Sequence, residues 1–382
     1  MNQPQTASPS IQSSDMVWGT ADLSRDGTGM TRREGCVDPT ENKEFHPTID
    51  RALPYIFIDT CMQAWPDADY ANAHRHGVTA YAVTAWDPHA TVEQALEGAM
   101  CWHLSARKFP NTLVVERVDE IRRAKSEGKA AFIMAAQGGD LIENKLHRLE
   151  AFYRLGLRIL IPAYNRSNAI CDGCVDRTDS GLTRFGQLVV DECNRVGLVL
   201  DCSHIGRRAS LEIIDRSSQP VFFSHSNVKG IVDNPRNIDD EQIRACAVRG
   251  GVIGLTPLGP LVLRAGRTER PTLDDFLVHV NYVSQLLGST DHVGIGTDMS
   301  LGTYPYHQPD PWGEPAYRSV SETYDRFVTA AVRSPRRAVA GFSQYPEVTN
   351  LIDRLLARGY SREDVDKILG GNFMWIFGSV WS

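Results

Sequence analysis

Eight short apolar runs, each followed by a polar or amphipathic stretch, constrain this chain more than any other feature. They are "YIFID" from Tyr55, "VTAYAVTAW" from Val78, "AAFIMAAQ" from Ala130, "LRILIPAY" from Leu157, "GLVLDCSH" from Gly197, "PVFFSHS" from Pro220, "GGVIGLTP" from Gly250 and "HVGIGTD" from His292. Most are rich in Val, Ile and Phe and carry no inner/outer alternation, which is how a strand buried on both faces reads. Helical patterns lie between most of them, including "VEQALEGAMCWHLSARKF", "DEIRRAKSEG", "ENKLHRLEAFYRLG" and "DDEQIRACAVRG". Eight strand–helix repeats at this spacing favour a (β/α)8 barrel of the TIM type, with an open doubly wound sheet as the alternative.

Polar residues recur at one point of this pattern. Cys61, Gln137, Tyr164, His204, His225 and Asp298 each stand at or just beyond the C-terminal end of an apolar run. In a barrel those ends meet at one mouth, where such folds keep their chemistry, so residues far apart in sequence become neighbours.

At 382 residues the chain suits one large barrel, taken here as residues 51–382, preceded by an extension over residues 1–50. The extension is rich in Ser, Thr, Asp and Gly with little periodicity, although Trp18 argues against complete disorder. A net charge of -7 without a basic cluster gives no reason to expect nucleic acid or an anionic membrane as partner, which leaves small-molecule chemistry. The start "MNQPQTASPSIQSSD" has no basic and apolar signal pattern, and no apolar run approaches a membrane span, so a cytoplasmic protein is expected. The eight cysteines are scattered rather than dense, and most are expected to be reduced.

After the eighth run, the aromatic and Pro-rich segment from Tyr304 to Tyr317 reads as a loop able to cover a substrate. Two helical patterns, "PEVTNLIDRLLARG" and "SREDVDKILGGNF", close the chain, the second with Ser361 as N-cap and Asp364 at the capping-box position.

His204 in "CSH" and His225 in "FSH" would be brought together by adjacent barrel strands and form half of a metal site. The plainer alternative is a pair of histidines hydrogen-bonded to neighbours, but two at equivalent positions favour function. Asp298 suits a metal ligand or a general base, against the alternative of a carboxylate capping the next turn. Arg236 in "DNPRNIDD" could grip a substrate carboxylate with its guanidinium fork, yet the pattern alone favours a surface arginine paired with Asp239 or Asp240. "CDGC" at 171–174 has redox or zinc-knuckle spacing but no second Cys/His pair nearby, and is read as a loop turned at Gly173. No Gly-rich phosphate loop, "GxSxG" elbow or "HExxH" is present.

The run from "GLTRFGQLVVDECNRVG" through "DCSHIG", "FFSHSNVKGIVDNPRNI" and "GGVIGLTP", together with "HVGIGTD" and "GYSREDVDKILGGNFMWIF", resembles the membrane (renal) dipeptidase family of the amidohydrolase superfamily. The resemblance reaches from about Tyr55 to Phe377. It implies a (β/α)8 barrel, usually dimeric, that cuts dipeptides or related amides with two zinc ions. By the same resemblance His204 and His225 match two zinc-binding histidines, Arg236 the arginine for the substrate carboxylate, and Asp298 the catalytic aspartate.

Other positions depart from the family. Its His-x-Asp pair is Cys61-Met62-Gln63 here, its bridging glutamate is Gln137, and its histidine after the fourth strand is Tyr164. Two zinc ions bring four positive charges to a desolvated mouth, and neutral amides do not offset them; only a Cys61 thiolate could restore one negative charge. The dinuclear centre is therefore expected to be absent, with no metal or one zinc ion on His204 and His225. Gln63, Gln137 and Tyr164 then join Arg236 as substrate-binding candidates, and Asp298, Cys61, His204 and His225 are the catalytic ones. Three functions stay open: hydrolysis of a carboxylate-bearing amide, dipeptide or lactam; metal-free proton transfer by Asp298 with Cys61 or Tyr164, as in a tautomerase, isomerase or lyase; and ligand binding without turnover. The expected partners are a small carboxylate-bearing substrate and, from the resemblance, a second copy of the chain.

Overall fold

The computed structural model describes residues 53–64, 68–267, 269–301 and 337–381. The extension over residues 1–50, Trp18 and the segment from Tyr304 to Tyr317 lie outside the described residues.

All eight apolar runs form strands: β1 (Ile58–Ala64), β2 (Ala80–Thr84), β4 (Ala130–Ala136), β5 (Leu157–Leu160), β6 (Val199–Leu200), β7 (Phe222–Phe223), β8 (Val252–Leu255) and β9 (Val293–Ile295). Every pairing among them is parallel. Ladders join β1-β2-β4-β5-β6 and, separately, β7-β8-β9. A bridge between Asp201 and Phe222 links the first group to the second. The circuit returns to β1 where the Asp298 amide donates to the Cys61 carbonyl at 2.8 Å and the Thr297 amide donates to Asp59 at 2.7 Å. Two short strands were not legible in the sequence: β3 (Thr112–Val114) lies beside the start of β4, and β10 (Met299–Leu301) extends from β9 to pair with the end of β1.

The two faces of each strand pack differently. Ile58, Ala82, Ile133, Ile159, Val199, Phe222 and Val252 cluster with Phe373 and Phe377 of the last helix, Asn372–Val380, which thereby plugs the barrel at the end away from the strand C-termini. Phe57, Tyr81, Phe132, Leu160, Leu200, Phe223 and Ile253 face the surrounding helices. With both faces dry, the continuous apolar runs are explained. Close approach across the barrel leaves no room for side chains in places: a Cβ on Gly296 would lie 1.8 Å from the Ser224 carbonyl oxygen.

The helical patterns differ from the structure in two places. Glu143 and Asn144 adopt left-handed φ of 44° and 59°, so the third helix begins only at Arg148 and runs to Arg154. The closing pattern opens with the expected Ser361–Asp364 capping box, then widens into a π-helical turn at Lys367–Gly371. Gly370 and Gly371 are poor α-helix formers, and the wider turn seats Asn372 so that its side-chain amide donates to the carbonyls of Thr290 and Val293. Among the described residues, no helix is long and apolar enough to cross a membrane.

His279, on the helix Leu273–Leu287, is fully buried and accepts the Val228 amide at Nδ1. Burial depresses its pKa to about 3. A histidine whose folded pKa lies below its unfolded value of about 6.5 contributes stability above that value and loses it as pH falls. The chain is therefore expected to lose about 2 kcal/mol through this group between pH 7.5 and pH 5. His279→Asn, which keeps an acceptor for the Val228 amide, should remove that component from urea midpoints measured across the range; an unchanged pH dependence would refute it.

Candidate active site

The strand ends bring the predicted residues together in two groups. In the first, Gln63 Nε2 donates to Asp298 Oδ1 at 2.7 Å, Gln137 Nε2 donates to Cys61 Sγ at 3.1 Å, and the Cys61 thiol lies 3.8 Å from the same Asp298 oxygen. Arg337, which the sequence gave no reason to select, grips Asp298 from the other side through the backbone oxygen at 3.2 Å and Oδ2 at 3.4 Å. It follows the segment after the eighth strand and carries no motif, so only the tertiary fold identifies it.

The second group is built on the two histidines, whose Nε2 atoms are 2.8 Å apart. Their tautomers follow from their partners. His204 Nδ1 donates to Asn165 Oδ1 at 2.8 Å, so its Nε2 is an acceptor and takes the Nε2 proton of His225. His225 Nδ1 then accepts from the Ser224 hydroxyl at 2.5 Å, and Ser224 accepts from Ser203 at 3.2 Å. Burial, with the Arg236 charge close by, pushes both imidazoles well below the usual histidine range, so this chain of bonds is neutral. Tyr164 stacks on His204, with ring centroids 4.1 Å apart. The hydroxyl flanks of "CSH" and "FSH" were the sequence signal for Ser203 and Ser224, whereas Asn165 had none.

Backbone strain marks the same place. Five described non-glycine residues have positive φ, and three of them, Asn165 at 63°, His204 at 68° and Asp298 at 52°, belong to the site. Such conformations cost of order 1–3 kcal/mol each and persist where the surroundings enforce them.

One expectation is corrected here. Arg236 is not a surface residue paired with Asp239 or Asp240. It is 2% exposed, Asp239 is held by Arg207, and Asp240 by Arg244 and Tyr282. The loop buries it because its polar neighbours have other work: Asn234 accepts the Arg236 amide, Asn237 donates to the carbonyls of Val232 and Leu261, and Asp239 caps the next helix. The Arg236 guanidinium donates to the His225 carbonyl at 3.0 Å and reaches Ser226 Oγ at 3.5 Å, and its Nε has no partner among the described residues. Burial, then the carboxylates of Asp298, Asp59 and Asp201, push the Cys61 thiol well above the usual range, which favours the neutral thiol when no cation is beside it.

Beneath Cys61, Asp59 is fully buried and accepts from Thr297 twice, from the Cys61 amide and from the Tyr345 hydroxyl. Burial raises its pKa to about 6 despite these four bonds. It ties the start of β1 to the turn that carries Asp298.

The residues do not fit the paired zinc ions that the family resemblance implies. Gln137 spends its amide on the Cys61 sulphur and Gln63 on Asp298, so neither turns an anionic oxygen to the cavity. Among the described residues, no three His, Cys, Asp or Glu side chains are arranged to hold a metal ion. A single ion would have His204 and His225 as its histidine ligands; His204 Nδ1 already donates as that of a metal-bound imidazole does, whereas His225 would have to carry its proton on Nδ1 and donate it to Ser224.

Comparison with known proteins places this arrangement. The model of the membrane dipeptidase family, peptidase family M19, matches residues 62–308. A dipeptidase of Claviceps purpurea named tcpJ is 27% identical over 70% of this chain and 55% of its own length. An uncharacterized dipeptidase of Schizosaccharomyces pombe is 33% identical over 53% of this chain and 54% of its own. The chain thus spans about half the length of these two fungal relatives. The crystal structure of an amidohydrolase from Pseudomonas aeruginosa superposes with a TM-score of 0.74 at 28% identity, covering 86% of this chain and 97% of that one. With its barrel and with most of its length matched, this chain belongs to the membrane dipeptidase family, peptidase family M19.

Proposed function

We propose that this chain is a dipeptidase-like hydrolase that acts on a small carboxylate-bearing amide, dipeptide or lactam without paired zinc ions, holding at most one metal on His204 and His225. One observation carries the reading: the Arg236 guanidinium is buried beside the two histidines with no carboxylate at ion-pair distance among the described residues. A buried cation without a counter-ion is costly, and a substrate carboxylate supplies the missing charge.

With the carboxylate on Arg236, the scissile amide is presented toward Asp298. Gln63 and Arg337 fix both carboxylate oxygens of Asp298. Asp298 takes a proton from water as the oxygen bonds to the carbonyl carbon, and returns it to the nitrogen as the C–N bond breaks. Gln137 and Gln63 line the approach as neutral amides, and Tyr164 walls it at His204.

A second reading, proton transfer without hydrolysis, is favoured by the protonated state of Cys61. A neutral thiol beside a carboxylate base is an acid–base pair that needs no water. Homodimerisation is proposed with either reading.

The test incubates purified protein with a panel of dipeptides, N-acyl amino acids and lactams, with and without chelator, and weighs the products. Products heavier by one water support hydrolysis. An isomer of unchanged mass supports proton transfer, and substrates recovered unaltered throughout would overturn both.

A further inference from the structure

A cavity of about 210 Å³ opens beside the histidine pair, between the loops that follow β5, β6 and β7. Its charged lining includes Arg236, Arg207 and Lys229 on one side of the balance and Asp176, Asp179 and Asp239 on the other. Most of these cations are already neutralised. Arg207 is paired with both Asp239 and Glu241, and Lys229 with Asp233 at 3.4 Å. Arg236 is the exception, with its Nε unpartnered.

Among the described residues, Asp176, which is half-buried, and Asp179, which is exposed, have no cationic partner at ion-pair distance. Asp176 Oδ2 accepts the Gly173 amide at 2.7 Å, and Asp179 accepts the Arg208 amide at 2.8 Å, so both are fixed in place by backbone donors. The cavity therefore has one cation without a counter-ion beside the catalytic candidates and, elsewhere in its lining, two carboxylates without a cationic side-chain partner among the described residues.

Resting on the proposal that Arg236 holds a substrate carboxylate, we infer that this cavity selects a substrate whose carboxylate-bearing residue has a basic side chain, with Arg236 taking the carboxylate and Asp176 and Asp179 taking the side-chain cation. The volume suits a side chain of lysine size, whose four methylenes and ammonium need roughly half of it. An acidic side chain would meet two carboxylates, and a purely apolar one would leave them unpaired while displacing their water. The "CDGC" loop, which carries Cys174 and Asp176 into the lining, thereby gains a role in specificity rather than in redox or zinc chemistry.

The probes are Nα-acetyl-lysine, Nα-acetyl-norleucine and Nα-acetyl-glutamate, each in the L and D forms, titrated calorimetrically into the full chain. Norleucine matches lysine in length without the charge. The lysine derivative of one configuration is expected to bind about tenfold or more tighter than its norleucine counterpart, and the glutamate derivative weakest. Asp176→Asn with Asp179→Asn, which keeps an acceptor for each backbone amide, should bring lysine down to norleucine's affinity.

Equal lysine and norleucine affinities, both lost in Arg236→Gln, would overturn the basic-side-chain inference and leave the carboxylate reading standing. Binding that survives Arg236→Gln, or no binding by any of the six, would overturn both.

Discussion

Asp298→Asn is expected to lower kcat by about a thousandfold while leaving KM within a few-fold, because it removes the proposed base without disturbing the grip on the substrate carboxylate. Asparagine keeps an oxygen for Gln63 or for Arg337, and the Asp298 backbone bonds to Cys61 and Arg337 are untouched. The variant should therefore fold and still bind substrate. The measurement is steady-state turnover on whichever panel member the wild type converts, checked by thermal unfolding. Turnover within threefold of wild type would remove Asp298 from the chemistry.

Arg236→Gln should act on the other constant. Losing a buried, bidentate-capable cation costs about 3–4 kcal/mol of substrate affinity, read mainly as a KM increase of about two to three orders of magnitude. Arg236→Lys should recover little, since an ammonium reproduces the charge but not the fork. A ligand-induced rise in melting temperature gives a check independent of turnover: a carboxylate substrate should stabilise the wild type and not the Gln variant. If stabilisation persists in Arg236→Gln, the carboxylate sits elsewhere.

The barrel was legible because buried parallel strands leave continuous apolar runs: seven strands lie within their runs, while the first, Ile58–Ala64, begins only at the end of "YIFID". The strands Thr112–Val114 and Met299–Leu301 were missed because three residues carry no periodicity. Position at a strand end was enough to gather Cys61, Gln137, His204, His225 and Asp298 at one mouth, since the fold fixes where those ends converge. What each residue does there was less accessible. The burial of Arg236 depends on how the side chains around it are spent, and "DNPRNIDD" looks the same whether its arginine points out or in. The protonation of Cys61 depends first on its burial and then on carboxylates, of which Asp59 is a sequence neighbour but Asp298 and Asp201 come near only in the folded chain. Arg337 had no local signal at all, because its partner lies 39 positions earlier in the chain.

We propose that exchanging anionic ligands for neutral ones leaves the mouth unable to hold two divalent ions. A paired centre needs carboxylates to offset its charge, and Gln63 and Gln137 instead direct their amide nitrogens at Asp298 and Cys61. The most direct measurement is zinc per chain in protein prepared without a chelating tag, equilibrated with excess zinc and freed of unbound ion. No more than one zinc per chain is expected, rising toward two only in a variant carrying Cys61→His, Gln63→Asp and Gln137→Glu together. Two zinc ions bound tightly to the unaltered chain would contradict it.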